Sequence, residues 1–141
     1  MSADGFRTVT LTRTGRGAYE AVNARGGRLA LSTGDDDDSF TPVELLLTAI
    51  AGCSAVDVDF ITVKRAESET FRVEATGEKV RDGDGNHLDD LRVRFAVTFP
   101  EGEGGDRARE MLPRAAAQSH DRLCTVSRTV ELGTPVATRV E

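Results

Sequence analysis

Two thiols are the reactive groups of greatest chemical interest in this chain: Cys53 and Cys124, 71 residues apart. With only two histidines, His87 and His120, and no close cysteine pair, the spacing supplies neither a structural zinc site nor a histidine-rich catalytic metal site. No phosphate-binding P-loop, no dinucleotide fingerprint after a strand and no Gly-x-Ser-x-Gly elbow occurs. Cys53 lies in an apolar stretch, where burial alone raises a thiol pKa above its free value of about 8.5 and leaves an inert core residue. Asp57, four residues on and on the same helical face, pushes in the same unfavourable direction, and the stretch has no cation before Lys64 and Arg65. A reactive Cys53 therefore needs a positive group from elsewhere. An unshifted thiol is about 3% ionised at pH 7, so full ionisation raises the nucleophile concentration by roughly 30-fold at most. Arginine suits the task, because it stays charged and its planar fork can hydrogen-bond a peroxide oxygen as well as a thiolate.

The elements that would position these thiols follow from patterning. Val9 and Leu11 alternate with Thr8, Thr10 and Thr12, Tyr19 and Val22 fall in a second short run, and Arg28 to Leu31 in a third. Thr14-Gly15-Arg16-Gly17 and Arg25-Gly26-Gly27 break the runs, which predicts a three-stranded meander. The four aspartates Asp35 to Asp38 repel one another and read as a solvated loop, without the spaced ligands and glycine of a calcium loop. Thr41, Pro42 and Glu44 form a helix start of capping-box type. The segment they open, to about Val63, is apolar on every face for three turns, which predicts a buried central helix roughly 30 Å long, covered all round. Its small residues Ala49, Ala51, Gly52, Ser54 and Ala55 suit close packing by another helix or a partner subunit. Phe71 to Ala75 and Leu91 to Phe99 alternate as two strands around a turn at Asp82 to Asn86. Asp106 to Arg122 reads as a helix kinked or split by Pro113, and Val126 to Leu132 and Pro135 to Val140 read as closing strands. The order is α+β, with helices on a mainly antiparallel sheet.

Composition narrows the setting. A chain of 141 residues suits a single domain, 1–141, and 38% apolar residues with 14 glycines exclude wholesale disorder. Eighteen basic against 24 acidic residues give a net charge of −6, with no Lys/Arg block, so nucleic acid and anionic membrane are poor partners. The apolar run from Leu45 to Val56 meets Asp57 and Asp59 before the roughly 20 residues a bilayer needs. Met-Ser-Ala-Asp-Gly-Phe-Arg contains no apolar leader, so a cytoplasmic location is expected, where paired thiols are chemical more often than structural.

The segment from Thr41 through Pro42, Glu44-Leu45-Leu46-Leu47, Ala49, Gly52-Cys53 and Asp57-Val58 resembles the P-x-E-L-L-L-x-A-x-x-G-C-x-x-x-D-V signature of OsmC-like proteins. Cys124-Thr125-Val126-Ser127 resembles their second-cysteine motif, C-P-V-S, with Thr125 in place of proline. The resemblance covers nearly the whole chain. It implies an OsmC-like α+β fold, with antiparallel sheets and a long central helix, assembled as an intertwined homodimer with thiol sites at the subunit interface. It also implies a thiol peroxidase for organic hydroperoxides, with no metal, haem, flavin or other cofactor. Cys53 would attack the peroxide and become a sulfenic acid, Cys124 would resolve it to a disulfide, and a dithiol, lipoyl-type in relatives, would reopen the bond.

In the hydroperoxide-resistance branch an arginine and a glutamate flank the reactive cysteine. Arg16 is the best positional match to the arginine, with Arg13 the runner-up. The glutamate of that branch directly follows the proline, where this chain has Val43; Glu44 comes one position later, about 180° around a straight helix from Cys53, which suits capping better than catalysis. His120 could assist deprotonation of Cys124, and Tyr19, Phe40 and Phe60 could line an apolar peroxide pocket. Three functions stay open at this point: a peroxidase, a slow thiol redox sensor or small-molecule binding dimer, and a structural dimer with inert cysteines.

Overall fold

The computed structural model describes residues 5–141 and contains two compact units, 1–46 and 47–141, with the boundary inside a helix. Residues 1–4, the first part of the segment read as lacking an apolar leader, lie outside those described.

In the first unit, β1 (Val9–Gly15), β2 (Ala18–Asn23) and β3 (Arg28–Ser32) form the expected antiparallel meander in the order β1-β2-β3. Arg16 and Gly17 make the two-residue connection between β1 and β2, and Gly17 takes φ +67°, a conformation that suits glycine. Asn23 holds the next turn by accepting the Arg25 and Gly27 N–H groups on its side-chain oxygen at 3.0 and 2.8 Å. The aspartate run is a loop in which Asp37 accepts the Ser32 hydroxyl and the Ser39 N–H, both at 2.8 Å. These bonds, led by that from Ser32, hold the Asp37 carboxyl below its usual range. The loop returns at Phe40, whose carbonyl accepts the Ser32 N–H at 3.0 Å.

Helix α1 (Pro42–Thr62) starts at the proline, as the capping pattern predicts. The Thr41 hydroxyl accepts the Glu44 N–H at 3.2 Å, and the Glu44 carboxylate accepts the Thr41 N–H at 2.9 Å. The helix is 21 residues long, so Asp57 and Asp59 do not cut it short, and its best window has a mean hydropathy of 1.7. By length and composition alone it reaches what a bilayer crossing needs. Nor is it covered all round. Ile50, Ser54, Val58 and Thr62, spaced by four, form one buried stripe, whereas Val56 and Phe60 are 69% and 65% exposed in the single chain. Apolar patterning reports that a face avoids water and not what covers it.

The rest of the second unit begins with a long hairpin of β4 (Thr70–Asp82) and β5 (Gly85–Thr98), turning at Gly83-Asp84. Phe71 and Phe95 meet edge to face on its half-buried side, 6.3 Å between ring centres. Helix α2 (Glu103–Gln118) follows and runs through Pro113 without splitting. Pro113 is exposed, so a backbone carbonyl left without its N–H partner there can turn to water. The irregularity comes six residues later, in a π turn at Ser119–Leu123, closed by the Cys124 N–H donating to the Ser119 carbonyl at 2.8 Å.

The largest difference from the sequence expectation is at the C-terminus. Thr125–Leu132 is helix α3, not a strand, and residues 134–141 form no regular element. The β-branched Thr125, Val126, Thr129 and Val130 favour a strand by propensity, but Cys124 caps the segment at its start and Gly133, at φ +63°, closes it in the left-handed conformation of a helix end.

The α2 start packs closely on the end of the hairpin. Arg109 donates to the carbonyls of Phe99 and Pro100 at 3.0 and 3.2 Å, and a Cβ on Gly105 would lie 1.7 Å from the Pro100 oxygen. Gly105→Ala is expected to destabilise the protein by about 3 kcal/mol through this overlap, read as a lower urea midpoint at unchanged slope.

Candidate functional site

The second unit brings Cys53, from the middle of α1, close enough to Cys124, the N-cap of α3, for each thiol to influence the ionisation of the other. Both are free thiols, Cys53 half-buried and Cys124 buried with 2% exposure. Helix α3 supplies donors to each sulfur. The Ser127 N–H lies 3.3 Å from the Cys124 Sγ, and the Val126 N–H is near enough to Cys53 to draw its pKa down. These N–H groups have no carbonyl partner inside the helix, and the helix dipole adds partial positive charge where the sulfurs sit.

The neighbours of Cys124 extend this pattern. The Ser54 hydroxyl donates to its sulfur at 3.9 Å, and the Ser127 hydroxyl lies 3.3 Å away. That hydroxyl accepts from the neutral thiol and can rotate to donate to a thiolate. Burial pushes the Cys124 thiol up, but the Ser127 hydroxyl and N–H, with Cys53 and Ser54, outweigh it and bring it below its ordinary value. Cys53 goes the other way. Burial raises it, the Val126 N–H opposes, and Cys124 and the Asp57 carboxylate raise it further.

Asp57 also has a structural partner, since it accepts the Ser119 hydroxyl at 2.8 Å. His120 sits between two carboxylates, with Nδ1 3.0 Å from Asp121 and Nε2 2.8 Å from Glu131 of α3. Asp121 first, then Glu131, raise its pKa. His120 and Glu131, together with Ser54 and Ser127, form the polar part of a cavity of about 360 Å³. Its apolar wall is Ile50, Leu91, Val93, Phe95, Ala116 and Val130. This wall replaces the aromatic set expected from the sequence. Phe60 is exposed with Lys64 Nζ 5.1 Å from its ring centre and does not line this cavity, while Phe40, 47% exposed, and Tyr19, half-buried in β2, belong to the first unit.

Arg16 and Arg13 belong to the first unit, Arg16 exposed in the β1–β2 connection and Arg13 paired with Tyr19 across the strands. Glu44 is engaged in the capping box. Among the described residues no group of three or more His, Cys, Asp or Glu side chains could hold a metal ion. Sequence patterning read Ser54 only as a small packing residue and Ser127 only as part of the Cys124 motif, and gave no role to Glu131 or the Val126 N–H. The signal that could have found them is the glycine at position 133, which marks a helix end and so turns the residues after Cys124 into a helix start.

Residues 34–139 match the family model of OsmC-like proteins. An uncharacterised protein of Mycobacterium tuberculosis is 29% identical over 125 residues, 88% of each chain. An OsmC-like protein of unknown function from Vibrio cholerae has a similar solved structure, with TM-score 0.74 and 16% identity over 93% of this chain and 95% of that one. So does an organic hydroperoxide resistance protein of Bacillus subtilis, with TM-score 0.56 and 16% identity over 91% and 92%. At these identities the solved structures establish the α+β fold.

The raised pKa of His120 sets a sign for pH dependence. Its ion pairs stabilise the folded chain fully below the ordinary histidine pKa of about 6.5 and lose that effect as pH rises through the raised value. His120→Gln is expected to lower Tm at pH 6 and to differ little from the parent at pH 9, in melts across that range.

Proposed function

The chain belongs to the OsmC-like family, and on that footing we propose that it is a cysteine-based thiol peroxidase acting on organic hydroperoxides. One observation carries the reading: two thiols far apart in sequence come near enough at the start of α3 to perturb each other's ionisation, and their neighbours Ser54 and Ser127 line a mainly apolar cavity. Cys53, the more exposed sulfur, attacks the peroxide oxygen as thiolate; the O–O bond breaks, the alkoxide leaves and takes up a proton, and Cys53 becomes a sulfenic acid. The Cys124 thiolate then attacks the Cys53 sulfur and expels hydroxide, which is protonated to water, leaving a Cys53–Cys124 disulfide. A dithiol, of lipoyl type in relatives, reduces that bond by exchange. Charge that settles first on Cys124 reaches Cys53 by proton transfer between the two neighbouring thiols. The apolar wall favours an alkyl hydroperoxide over hydrogen peroxide, since only the former gains by burying a chain.

The reading extends to features carried by family resemblance. Residues 1–141 act as one OsmC-like domain in a cytoplasmic homodimer, Arg16 supplies the cation for Cys53, and Glu44 serves the helix start. The exposed Val56 and Phe60 of α1 suit burial against a second copy. A slower reading, a redox sensor that reacts once with peroxide, is favoured by the raised Cys53 thiol and by Glu44 being occupied as a cap.

Thiol counting on the reduced protein with an alkyl hydroperoxide separates the two. Loss of both thiols with repeated turnover under a dithiol supports the peroxidase; a single stoichiometric event supports the sensor; no loss rejects both. Cys53→Ser is expected to abolish peroxide consumption. Cys124→Ser should permit one attack and leave Cys53 open to sulfinic acid, seen as a 32 Da mass gain, the mass of two oxygen atoms.

A further inference from the structure

The peroxidase reading assigns no use to Asp57, whose carboxylate works against ionising Cys53. We propose that Asp57 and Ser119 are positioning residues that hold Cys124 against Cys53 for the disulfide-forming step. This rests on the reading above only in assigning that disulfide to a peroxide cycle.

Ser119 makes two bonds in different directions. Its hydroxyl donates to Asp57 Oδ2 on α1 at 2.8 Å, and its carbonyl accepts the Cys124 N–H at 2.8 Å. Asp57 lies one helical turn beyond Cys53, so one residue is tied to both cysteine-bearing segments. At 1% exposure Ser119 has almost no access to water that could replace either bond. The Ser119 carbonyl bond closes the π turn. That turn ends the helical path at Leu123, and Cys124 leaves it in extended conformation, φ −74° and ψ 100°, as the N-cap of α3. Without the Asp57 tie, the π turn and the start of α3 would lose the side-chain anchor that Ser119 provides on α1; among the described residues the side-chain hydrogen bond that then still joins α1 to Cys124 is the 3.9 Å one from Ser54. A carboxylate is the stronger acceptor for a buried hydroxyl, which accounts for an acid here despite its effect on the Cys53 thiol. The arrangement favours fast closure of the disulfide once Cys53 is oxidised, at the expense of the first attack.

The effective concentration of one thiol at the other reports this positioning, and it is measured without peroxide. Oxidised protein is equilibrated with dithiothreitol buffers, in which the dithiol gives up two electrons to the disulfide and becomes the cyclic disulfide. Ser119→Ala and Asp57→Ala are each expected to lower the effective concentration at least tenfold, a rise of about 30 mV in reduction potential, and the double variant to fall no further. Asp57→Asn should stay within threefold of the parent, because its amide oxygen still accepts the Ser119 hydroxyl. The proposal is overturned if folded Ser119→Ala keeps the parent potential, or if Asp57→Asn falls as far as Asp57→Ala. Should Ser119→Ala not fold, the two Asp57 variants decide the matter alone. If the potentials move as expected while peroxide is not consumed, the positioning role stands and the peroxidase reading falls.

Discussion

Side-chain contacts tie α1 to the segment between α2 and α3, and the chemistry of the second unit depends on them. Ser54 reaches Cys124, Asp57 reaches Ser119, and Cys53 meets both the opposite thiol and the Val126 N–H. All the α1 residues involved lie within five positions, on about one and a half turns. A helix is rigid over that length, so the segment carrying Cys124 is registered against Cys53 by a short, stiff ruler. The buried stripe of Ile50, Ser54, Val58 and Thr62 runs along the same side. Packing and chemistry thus use adjacent faces of one helix.

The electrostatics of the thiol pair follow from that register. Two neighbouring thiols that influence each other cannot both ionise readily, so the groups around each decide where the first charge rests. Cys124 has the start of α3 and two serine hydroxyls, whereas Cys53 has one N–H and a nearby carboxylate. The sulfur better placed to hold charge is the one shut away from solvent, and the sulfur better placed to meet a substrate is held neutral for longer.

The backbone irregularities lie where the chain changes task. The π turn at Ser119–Leu123 adds the slack that lets the chain leave α2 and start α3 in a new direction, with Cys124 at the joint. His120, on the same turn, bonds forward to Glu131 and so links the turn to the last turn of α3. Pro113, the residue most suspect as a helix breaker, sits on an exposed face and breaks nothing. Local chemistry alone does not say which irregularity bends a helix; the surroundings that can or cannot satisfy a freed carbonyl do.

Short-range physics in the sequence was enough for the meander with its glycine turns, the capping box at Thr41 and Glu44, and the alternating strands of the long hairpin. Each depends on residues within a few positions of one another, where dihedral preference and side-chain period act directly. The α3 helix, the π turn, the cavity wall and the partners of each sulfur were decided only in three dimensions. They involve residues such as Asp57 and Ser119, 62 positions apart, or Val93 and Val130, and no periodicity along a chain encodes which distant side chain will complete a hydrogen bond. For Thr125 to Leu132 the local preference itself pointed to a strand, and capping at both ends prevailed because unsatisfied backbone groups cost more than a few tenths of a kcal/mol of propensity per residue.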